Sequence, residues 1–207
     1  MSIAENVTAI ASYTATDDDA GDTVSWSLTG DDSSLFDISD SGELTFISAP
    51  DYETPLGGIN DDSNTYSLTV TAVDGTGKGD FTDLSVNVND IFDHAPVLNV
   101  NATAAVSIAE NTTAVSTYTV TDADPGDTVS WSLTGDDTSL FNISSDGVLT
   151  FKSAPDYETP GSAASSNAYS VTVTATDSVG LTDSTDLTVN VDDVNEAPVL
   201  NLSLIHI

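Results

Sequence analysis

The chain has 207 residues, with 34 acidic residues against 2 lysines and no arginine, which gives a formal charge of −32 at pH 7. Such a surface repels nucleic-acid phosphates and anionic lipids, so nucleic-acid binding and polybasic membrane binding are excluded. A hydrophobic content of 39% is enough for a buried core, and the absence of cysteine excludes disulfides and thiolate metal sites. No apolar run approaches the ~20 residues of a membrane span, and the first residues do not resemble a signal peptide. We therefore expect no direct membrane insertion by this fragment, and any export signal or anchor to lie outside it.

The sequence contains two copies of one unit. SIAEN, GDTVSWSLTGDD and SAPDYETP each occur twice, and the copies are 105 residues apart. The offset falls to 103 between Tyr66 and Tyr169, so the length differences lie in the polar loop after DYETP. We expect repeat 1 at residues 1–95 without its first strand, repeat 2 at 96–197, and the start of a third repeat at 198–201. Residues 202–207, LSLIHI, resemble the translation of a sequencing adaptor and are expected to be an artefact.

Apolar residues alternate with polar ones along four segments of each copy. In repeat 1 these residues are Val24, Trp26 and Leu28; Leu44 and Phe46; Tyr66, Leu68, Val70 and Ala72; and Leu84, Val86 and Val88. A period of two with β-branched and aromatic residues, interrupted by Asp, Gly, Ser and Asn, is typical of strands. We predict an all-β protein of two tandem immunoglobulin-like Greek-key β-sandwiches, end to end, each with about six or seven short antiparallel strands.

The acidic residues are concentrated at predicted strand ends and turns. In chain order they are Glu5, Asp17, Asp19, Asp51, Glu53, Asp74, Asp90 and Asp93, followed in repeat 2 by Glu110, Asp122, Asp124, Asp156, Glu158, Asp177, Asp193 and Glu196, with Asn195 beside the last. Carboxylates brought together repel one another unless cations neutralise them, and Ca²⁺ takes six to eight oxygen ligands. The pattern therefore predicts calcium binding.

Both copies resemble cadherin repeats, in the form common in bacterial surface adhesins. The resemblance rests on five ordered motifs over nearly the whole chain: xEN, DxD, DxE, AxDG and a terminal motif related to DxNDNxP. In that family calcium binds between consecutive repeats. The resemblance implies an inner site of Glu5, Asp51, Glu53 and Asp93. It implies a middle site of Glu5, Glu53, Asp90, Asp93 and Asp124, and an outer site of Asp122, Asp124 and Asp177. It makes Asp17, Asp19 and Asp74 a half-site toward a preceding repeat, and Glu110, Asp156, Glu158, Asp193, Asn195 and Glu196 a half-site toward a following one.

The first linker departs from the family pattern. It reads DIFDHAP, so Phe92 and His94 stand where the family has two asparagines. The first replacement removes a side-chain oxygen from the outer site, whereas the backbone carbonyl of the second position remains. We therefore expect the third calcium at this junction to be weak or absent.

The same residues allow other interpretations. An EF-hand fails, because Leu28 and Leu133 occupy the position that requires a bidentate glutamate. Trp26 could be a sugar-stacking platform, but it alternates with Val and Leu on one strand face, which favours a core role. The pair Asp51 and Glu53 is duplicated with its loop, which favours a structural role over a glycosidase acid and base. We expect no enzymatic activity and no catalytic residues.

The resemblance implies calcium-dependent stiffening of an extracellular or cell-surface array that serves cell adhesion. The expected partners are neighbouring repeats of the same chain, with either homophilic pairing or a purely extending role left open. The alternative is a carbohydrate-binding or spacer module of a secreted enzyme. A third interpretation is an acidic surface adapted to high salt.

Overall fold

A computed structural model describes residues 1–19, 22–57, 63–99 and 105–198. The chain divides into two compact units, unit 1 at Met1–Phe92 and unit 2 at Asp93–Ile207. Of the expected third repeat and terminal artefact, residues 199–207 lie outside the described part.

Unit 1 has seven strands and one single-turn 3-10 helix at Ser33–Leu35 in its described residues. The strands are β1 (Ser2–Ala4), β2 (Ala9–Ser12), β3 (Ser25–Thr29), β4 (Phe36–Ile38), β5 (Glu43–Phe46), β6 (Thr65–Val73) and β7 (Gly79–Asn89). One sheet has the order β1-β7-β6-β3, and the other has the order β2-β5-β4.

Unit 2 repeats this arrangement and adds two strands. Its strands are β8 (Val97–Asn99), β9 (Ala105–Ala109), β10 (Ala114–Thr117), β11 (Thr119–Thr121), β12 (Ser130–Thr134), β13 (Phe141–Ile143), β14 (Val148–Phe151), β15 (Ala168–Thr176) and β16 (Thr182–Asp192), with a 3-10 turn at Thr138–Leu140. The sheets have the orders β12-β15-β16-β9 and β10-β14-β13, and β8 pairs with β11. The prediction of an all-β tandem sandwich is confirmed.

The alternating residues form the core of each sandwich. Tyr66, Leu68 and Val70 of β6 are buried and their neighbours are more exposed, because successive side chains of a strand point to opposite faces. In unit 1 these residues join Phe36 and Phe46 from the other sheet in one cluster. The ring of Phe46 meets that of Tyr66 edge to face, with centroids 5.2 Å apart, a favourable aromatic geometry. The equivalent residues build the core of unit 2.

One strand of each unit pairs in parallel, although short connections led us to expect antiparallel pairing throughout. β1 runs parallel to β7, and β9 runs parallel to β16. Two parallel strands must be joined by a long connection. Here that connection consists of all the strands that lie between β1 and β7, or between β9 and β16, along the chain. This pairing places the glutamate that follows β1 or β9 beside the end of the last strand.

The two tryptophans lie against the cores, as predicted for alternating positions. Trp26 is partly buried against the unit 1 core, and its ring is tilted against Tyr13 with centroids 6.1 Å apart. Trp131 and Tyr118 repeat the contact at 6.3 Å in unit 2. This packing favours the structural role over a sugar-stacking platform.

Candidate metal centre

Glu5, which follows β1, contacts the DYE loop and the segment after β7. It is 1% exposed, and its carboxylate accepts hydrogen bonds from the amides of Tyr52 at 2.7 Å and Ile91 at 3.0 Å. The next residue, Asn6, turns the chain with a φ of 60°, a left-handed conformation that asparagine tolerates better than most residues. Its amide donates to the carbonyl of Pro50 at 2.8 Å. These contacts explain why the Glu-Asn dipeptide is coupled to the DYE loop in both repeats.

The Glu5 cluster consists of Glu5, Asp51 and Glu53. One carboxylate oxygen from each lies within 4.8 Å of the others. Asp51 also accepts a hydrogen bond from the amide of Thr54 at 2.9 Å, which fixes the loop. A carboxylate oxygen that accepts one backbone hydrogen bond still has a lone pair for a cation. The structure thus brings together three of the residues assigned to the junction within unit 1.

The Glu110 cluster of unit 2 consists of Glu110, Glu158 and Asp193, again with ligand oxygens within 4.8 Å of one another. Glu110 is 2% exposed and accepts hydrogen bonds from the amides of Tyr157 at 2.7 Å and Val194 at 2.8 Å. The two repeats therefore build the same buried glutamate with the same two backbone partners.

The pKa of Glu158 reflects repulsion between the carboxylates in and beside the Glu110 cluster. A hydrogen bond from its own backbone amide lowers the pKa of this carboxyl. Burial and the charges of Glu110, Asp193 and Glu196 together outweigh that bond, so the pKa is raised above the ordinary value. A cation would relieve the same repulsion.

Three further predicted residues at this end of unit 2 lie outside the Glu110 cluster as the described residues define it. Asp156 accepts the amide of Thr159 at 2.9 Å, as Asp51 accepts that of Thr54. Glu196 accepts a hydrogen bond from the side-chain amide of Asn111 at 2.8 Å. Asn195 is exposed.

The Asp122 cluster of unit 2 consists of Asp122, Asp127 and Asp177. In each residue Oδ2 is buried, and none of the three atoms has a hydrogen-bond partner in the described structure. The other oxygen of Asp177 accepts the amides of residues 179, 180 and 181 at 2.6–2.9 Å, so its orientation is fixed by the turn. Buried anionic oxygens without donors are costly unless a cation neutralises them. This cluster has the donor set of a site for a hard divalent cation.

Asp127 was absent from the sequence-based assignment. Its signal was present, because GDT recurs at 126–128 after its first occurrence at 21–23 and aligns Asp127 with Asp22. Asp22 likewise joins Asp17 and Asp19 in the Asp17 cluster of unit 1, with oxygens within 4.8 Å and all three residues exposed.

Asp74 was assigned beside Asp17 and Asp19, but the Asp17 cluster in the described residues does not include it. One of its oxygens accepts hydrogen bonds from the amides of Thr76 at 2.8 Å and Lys78 at 2.9 Å. The hydrogen bond from Lys78 is the main cause that holds its pKa below the ordinary value. Its counterpart Asp177 belongs to the Asp122 cluster, so the two repeats differ here.

The remaining linker residues bind one another locally. Asp90 of unit 1 accepts the amide of Phe92 at 2.7 Å. In unit 2, Nδ1 of His94 lies 3.0 Å from carboxylate oxygens of both Asp93 and Asp124, and the His94 amide donates to Asp124 at 2.9 Å. Asp124 is 2% exposed. From the sequence, His94 was expected only to replace an asparagine of the family pattern, whereas its imidazole bridges two of the assigned ligands.

Phe92 adopts a φ of 55°, the left-handed region. Asparagine is enriched in this conformation and phenylalanine is not. The position where the family has asparagine thus keeps the backbone conformation that suits asparagine. The replacement costs backbone strain as well as the side-chain oxygen.

Two other buried aspartates have a structural role. Asp32 accepts the amide of Ser67 at 2.7 Å, and Asp137 accepts the amides of Ser170 and Ala163 at 2.7 Å each. They lie outside the acidic clusters found in the described residues.

Comparison with known proteins supports the fold. Residues 104–192 match the family model of the cadherin domain. The second repeat thus carries the cadherin signature, and the first carries the same motifs in the same order. No curated protein is significantly similar to the chain.

Solved cadherin structures have the same fold. Human Protocadherin-24 EC1-2 matches with a TM-score of 0.68 at 24% identity, over 86% of this chain and 86% of that one. Drosophila N-cadherin EC1-4 matches with a TM-score of 0.69 at 20% identity, over 91% of this chain and 45% of that one. Mouse Cadherin-23 EC22-24 matches with a TM-score of 0.63 at 25% identity, over 94% of this chain and 62% of that one. The chain therefore folds as tandem cadherin-like repeats.

Within the described residues, no helix is long and apolar enough to cross a membrane.

Proposed function

We propose that the chain is a calcium-binding segment of an extracellular cell-adhesion protein, of the kind found on bacterial surfaces. Calcium would bind at the junction between the repeats and make the array rigid. The proposed ligands are Glu5, Asp51, Glu53, Asp90, Asp93, Asp122, Asp124 and Asp177, with Asp127 added from the structure.

The Asp122 cluster carries the proposal. Three buried carboxylate oxygens without a hydrogen-bond donor in the described structure converge there. A solvated acidic surface adapted to salt does not require buried, unpartnered anions. The raised pKa of Glu158 supports the same view at the other end of unit 2.

Calcium would neutralise carboxylates that otherwise repel one another and would link the two repeats through shared ligands. Without the ion, the carboxylates of the linker and of each repeat repel one another, so a close approach of the repeats is unfavourable. An ion that shares ligands from both repeats removes this repulsion, and its binding energy then opposes hinge motion. Affinity would suit an extracellular setting, with a Kd of about 10⁻⁴–10⁻³ M.

His94 and Phe92 would weaken part of this site. The imidazole of His94 lies within hydrogen-bond distance of Asp93 and Asp124, so it competes with a cation for their oxygens. Phe92 supplies no side-chain oxygen. We therefore propose about two strongly bound ions at the junction and a weaker third at the outer site, where the Asp122 cluster still offers three carboxylates.

The test is a calorimetric Ca²⁺ titration of the whole chain in physiological NaCl. We expect saturable binding that Asp93→Ala weakens. The control is Asp40→Ala, which changes an exposed turn aspartate and should leave binding unchanged.

Asp177→Asn keeps the acceptor for the turn amides but removes one anionic oxygen, and Asp74→Asn is its matched control in repeat 1. Heat no greater than dilution, or binding indifferent to Asp93, would refute the proposal. Equal stabilisation by NaCl and CaCl₂ would favour the salt-adapted surface.

A further inference from the structure

His94 lies between two carboxylates of unit 2. Its Nδ1 is 3.0 Å from Oδ1 of Asp93 and 3.0 Å from Oδ1 of Asp124. One ligand atom from each of these three residues, which form the His94 site, lies within 4.8 Å of the others. The corresponding position of the second linker is Glu196. The first linker therefore places a nitrogen donor where the second has only carboxylate and amide side chains.

Asp124 fixes the orientation of the imidazole. Its side chain is fully buried, and its Oδ2 accepts the amide of His94 at 2.9 Å while Oδ1 faces Nδ1. The amide of Asp124 in turn donates to Oδ1 of Asp122 at 3.1 Å. One carboxylate thus holds both the backbone and the ring of His94, so the donor atoms are positioned before an ion binds. The side chains of Asp93 and His94 are 36% and 43% exposed, which leaves a path for the ion and for water.

The separations of the donor atoms fit a small divalent ion. Zinc binds nitrogen and oxygen ligands at about 2.0–2.2 Å, so two of its ligands lie about 3.0 Å apart at a right angle and about 3.4 Å apart at the tetrahedral angle. Nδ1 is already 3.0 Å from one oxygen of each carboxylate. Calcium bonds are longer, at about 2.3–2.6 Å, and need a wider arrangement. The His94 site therefore accommodates a zinc-sized ion with little movement.

The types of donor atom also distinguish between ions. Calcium takes oxygen ligands, whereas imidazole suits Zn²⁺, Cu²⁺ and Ni²⁺. The chain has no cysteine and two histidines, of which His206 lies outside the described residues. His94 is thus the one histidine among the described residues, and it lies beside two anionic ligands.

We propose that Asp93, His94 and Asp124 bind a divalent transition-metal ion of the Zn²⁺, Ni²⁺ or Cu²⁺ class. Nδ1 and one oxygen of each carboxylate are the protein ligands, and water completes the coordination. The ion takes the place of the proton that a charged imidazole carries on Nδ1, and this proton passes to the buffer. The competing interpretation is a protonated His94 that pairs with the two carboxylates and binds no metal.

The inference does not require calcium, because the three ligands belong to unit 2 and include a nitrogen that calcium does not use. Asp93 and Asp124 are also proposed calcium ligands. One consequence therefore rests on the proposed function: a transition-metal ion at the His94 site excludes calcium from these two carboxylates.

The first experiment is a calorimetric Zn²⁺ titration of the full chain in physiological NaCl after removal of calcium. We expect one Zn²⁺ site that His94→Asn weakens at least about tenfold, because loss of a mere outer-shell partner of a ligand already costs about 10–100-fold in affinity. Asparagine restores the residue of the family pattern and keeps both carboxylates. The control His206→Asn leaves binding unchanged. Absence of Zn²⁺ binding, or equal binding in His94→Asn, overturns the proposal.

The second experiment identifies the ligating nitrogen. In the His206→Asn variant His94 is the only histidine, so a long-range ¹H–¹⁵N spectrum reports its ring alone. One equivalent of Zn²⁺ should shift Nδ1 more than Nε2, and Mg²⁺, which prefers oxygen ligands, should not produce this change. A larger shift at Nε2, or none at either nitrogen, overturns the proposal. Both experiments are run without calcium, so their failure is separate from failure of the proposed calcium function, which a Ca²⁺ titration of His94→Asn tests without the imidazole.

Discussion

Replacement of Glu5 by glutamine, compared with the same change at Glu110, separates calcium binding from structure. Each carboxylate accepts one backbone amide on each oxygen, at 2.7 and 3.0 Å for Glu5 and at 2.7 and 2.8 Å for Glu110. Glutamine has one acceptor oxygen, so in either orientation one amide faces an NH₂ group. The two variants therefore suffer the same structural change in matched surroundings.

The magnitudes follow from these contacts. Loss of one partner of a buried amide costs about 1–3 kcal/mol, and we expect this loss in both variants without calcium. At about 5 mM CaCl₂, a site with a Kd of about 10⁻⁴–10⁻³ M adds about 1–2 kcal/mol of unfolding free energy for each bound ion. Glu5 is proposed to serve a complete junction and Glu110 only a half-site. Glu5→Gln should therefore lose most of the calcium-dependent gain, and Glu110→Gln should lose little.

The assay is urea unfolding in EGTA and in CaCl₂, followed by tryptophan fluorescence. Each unit has a single tryptophan, so Trp131→Phe leaves Trp26 to report unit 1, and Trp26→Phe leaves Trp131 to report unit 2. Separate reporters are needed because two units need not unfold in one transition. Equal loss of the calcium gain in both variants would assign the effect to the general acidic surface. An undiminished gain in Glu5→Gln would remove Glu5 from the ligands.

Three further predictions concern strain, charge and packing. Phe92→Asn should raise stability in EGTA by up to about 1 kcal/mol, since asparagine tolerates a φ of 55°, and should add a bound ion in a Ca²⁺ titration; an unchanged ion count would contradict the second part. The pKa of Glu158 is raised in the folded state, so in EGTA its contribution to stability should fall as pH rises from the ordinary carboxyl pKa through the folded value. Glu158→Gln should remove that slope in urea unfolding at a series of pH values, and an unchanged slope would exclude this carboxyl as its source. Gly147→Ala should cost about 2–4 kcal/mol, because its φ is +76° and the new Cβ would lie 2.3 Å from the carbonyl oxygen of Tyr118. Gly126→Ala, with a φ of +92° and no atom within 4 Å, should cost only about 1–2 kcal/mol, and equal losses would refute the steric explanation.

The sequence was sufficient for the fold because two independent signals agreed. Alternation from Tyr66 to Ala72 predicted β6, and the duplication predicted the equivalent strand β15. Strands of three or four residues, such as β1 and β4, were not individually identified, because two periods of alternation cannot be distinguished from chance. The parallel pairing of β1 with β7 depends on tertiary structure and leaves no local signal.

Duplication of the motifs also explains which acidic residues could be grouped from the sequence. Glu5 and Glu110 belong to clusters because the repeated Glu-Asn turn places each beside its DYE loop. The assignment of Asp74 beside Asp17 and Asp19 stays a prediction, because Asp74 lines the same cavity as both residues but is not part of the Asp17 cluster in the described residues. The bridging role of His94 could not be deduced, because it depends on a side-chain contact with a residue 30 positions away.

The contrast between buried and exposed acidic clusters indicates where cation binding would affect stability most. The Asp17 cluster is exposed on all three residues, so water and salt already screen its repulsion. The Asp122 cluster includes Asp177 at 6% exposure and three oxygens without donors, so its electrostatic cost falls on the folded state alone. A cation that binds only the folded state then recovers this cost through linkage. Calcium should therefore stabilise unit 2 through the Asp122 cluster more than unit 1 through the Asp17 cluster, although the two motifs have nearly the same sequence.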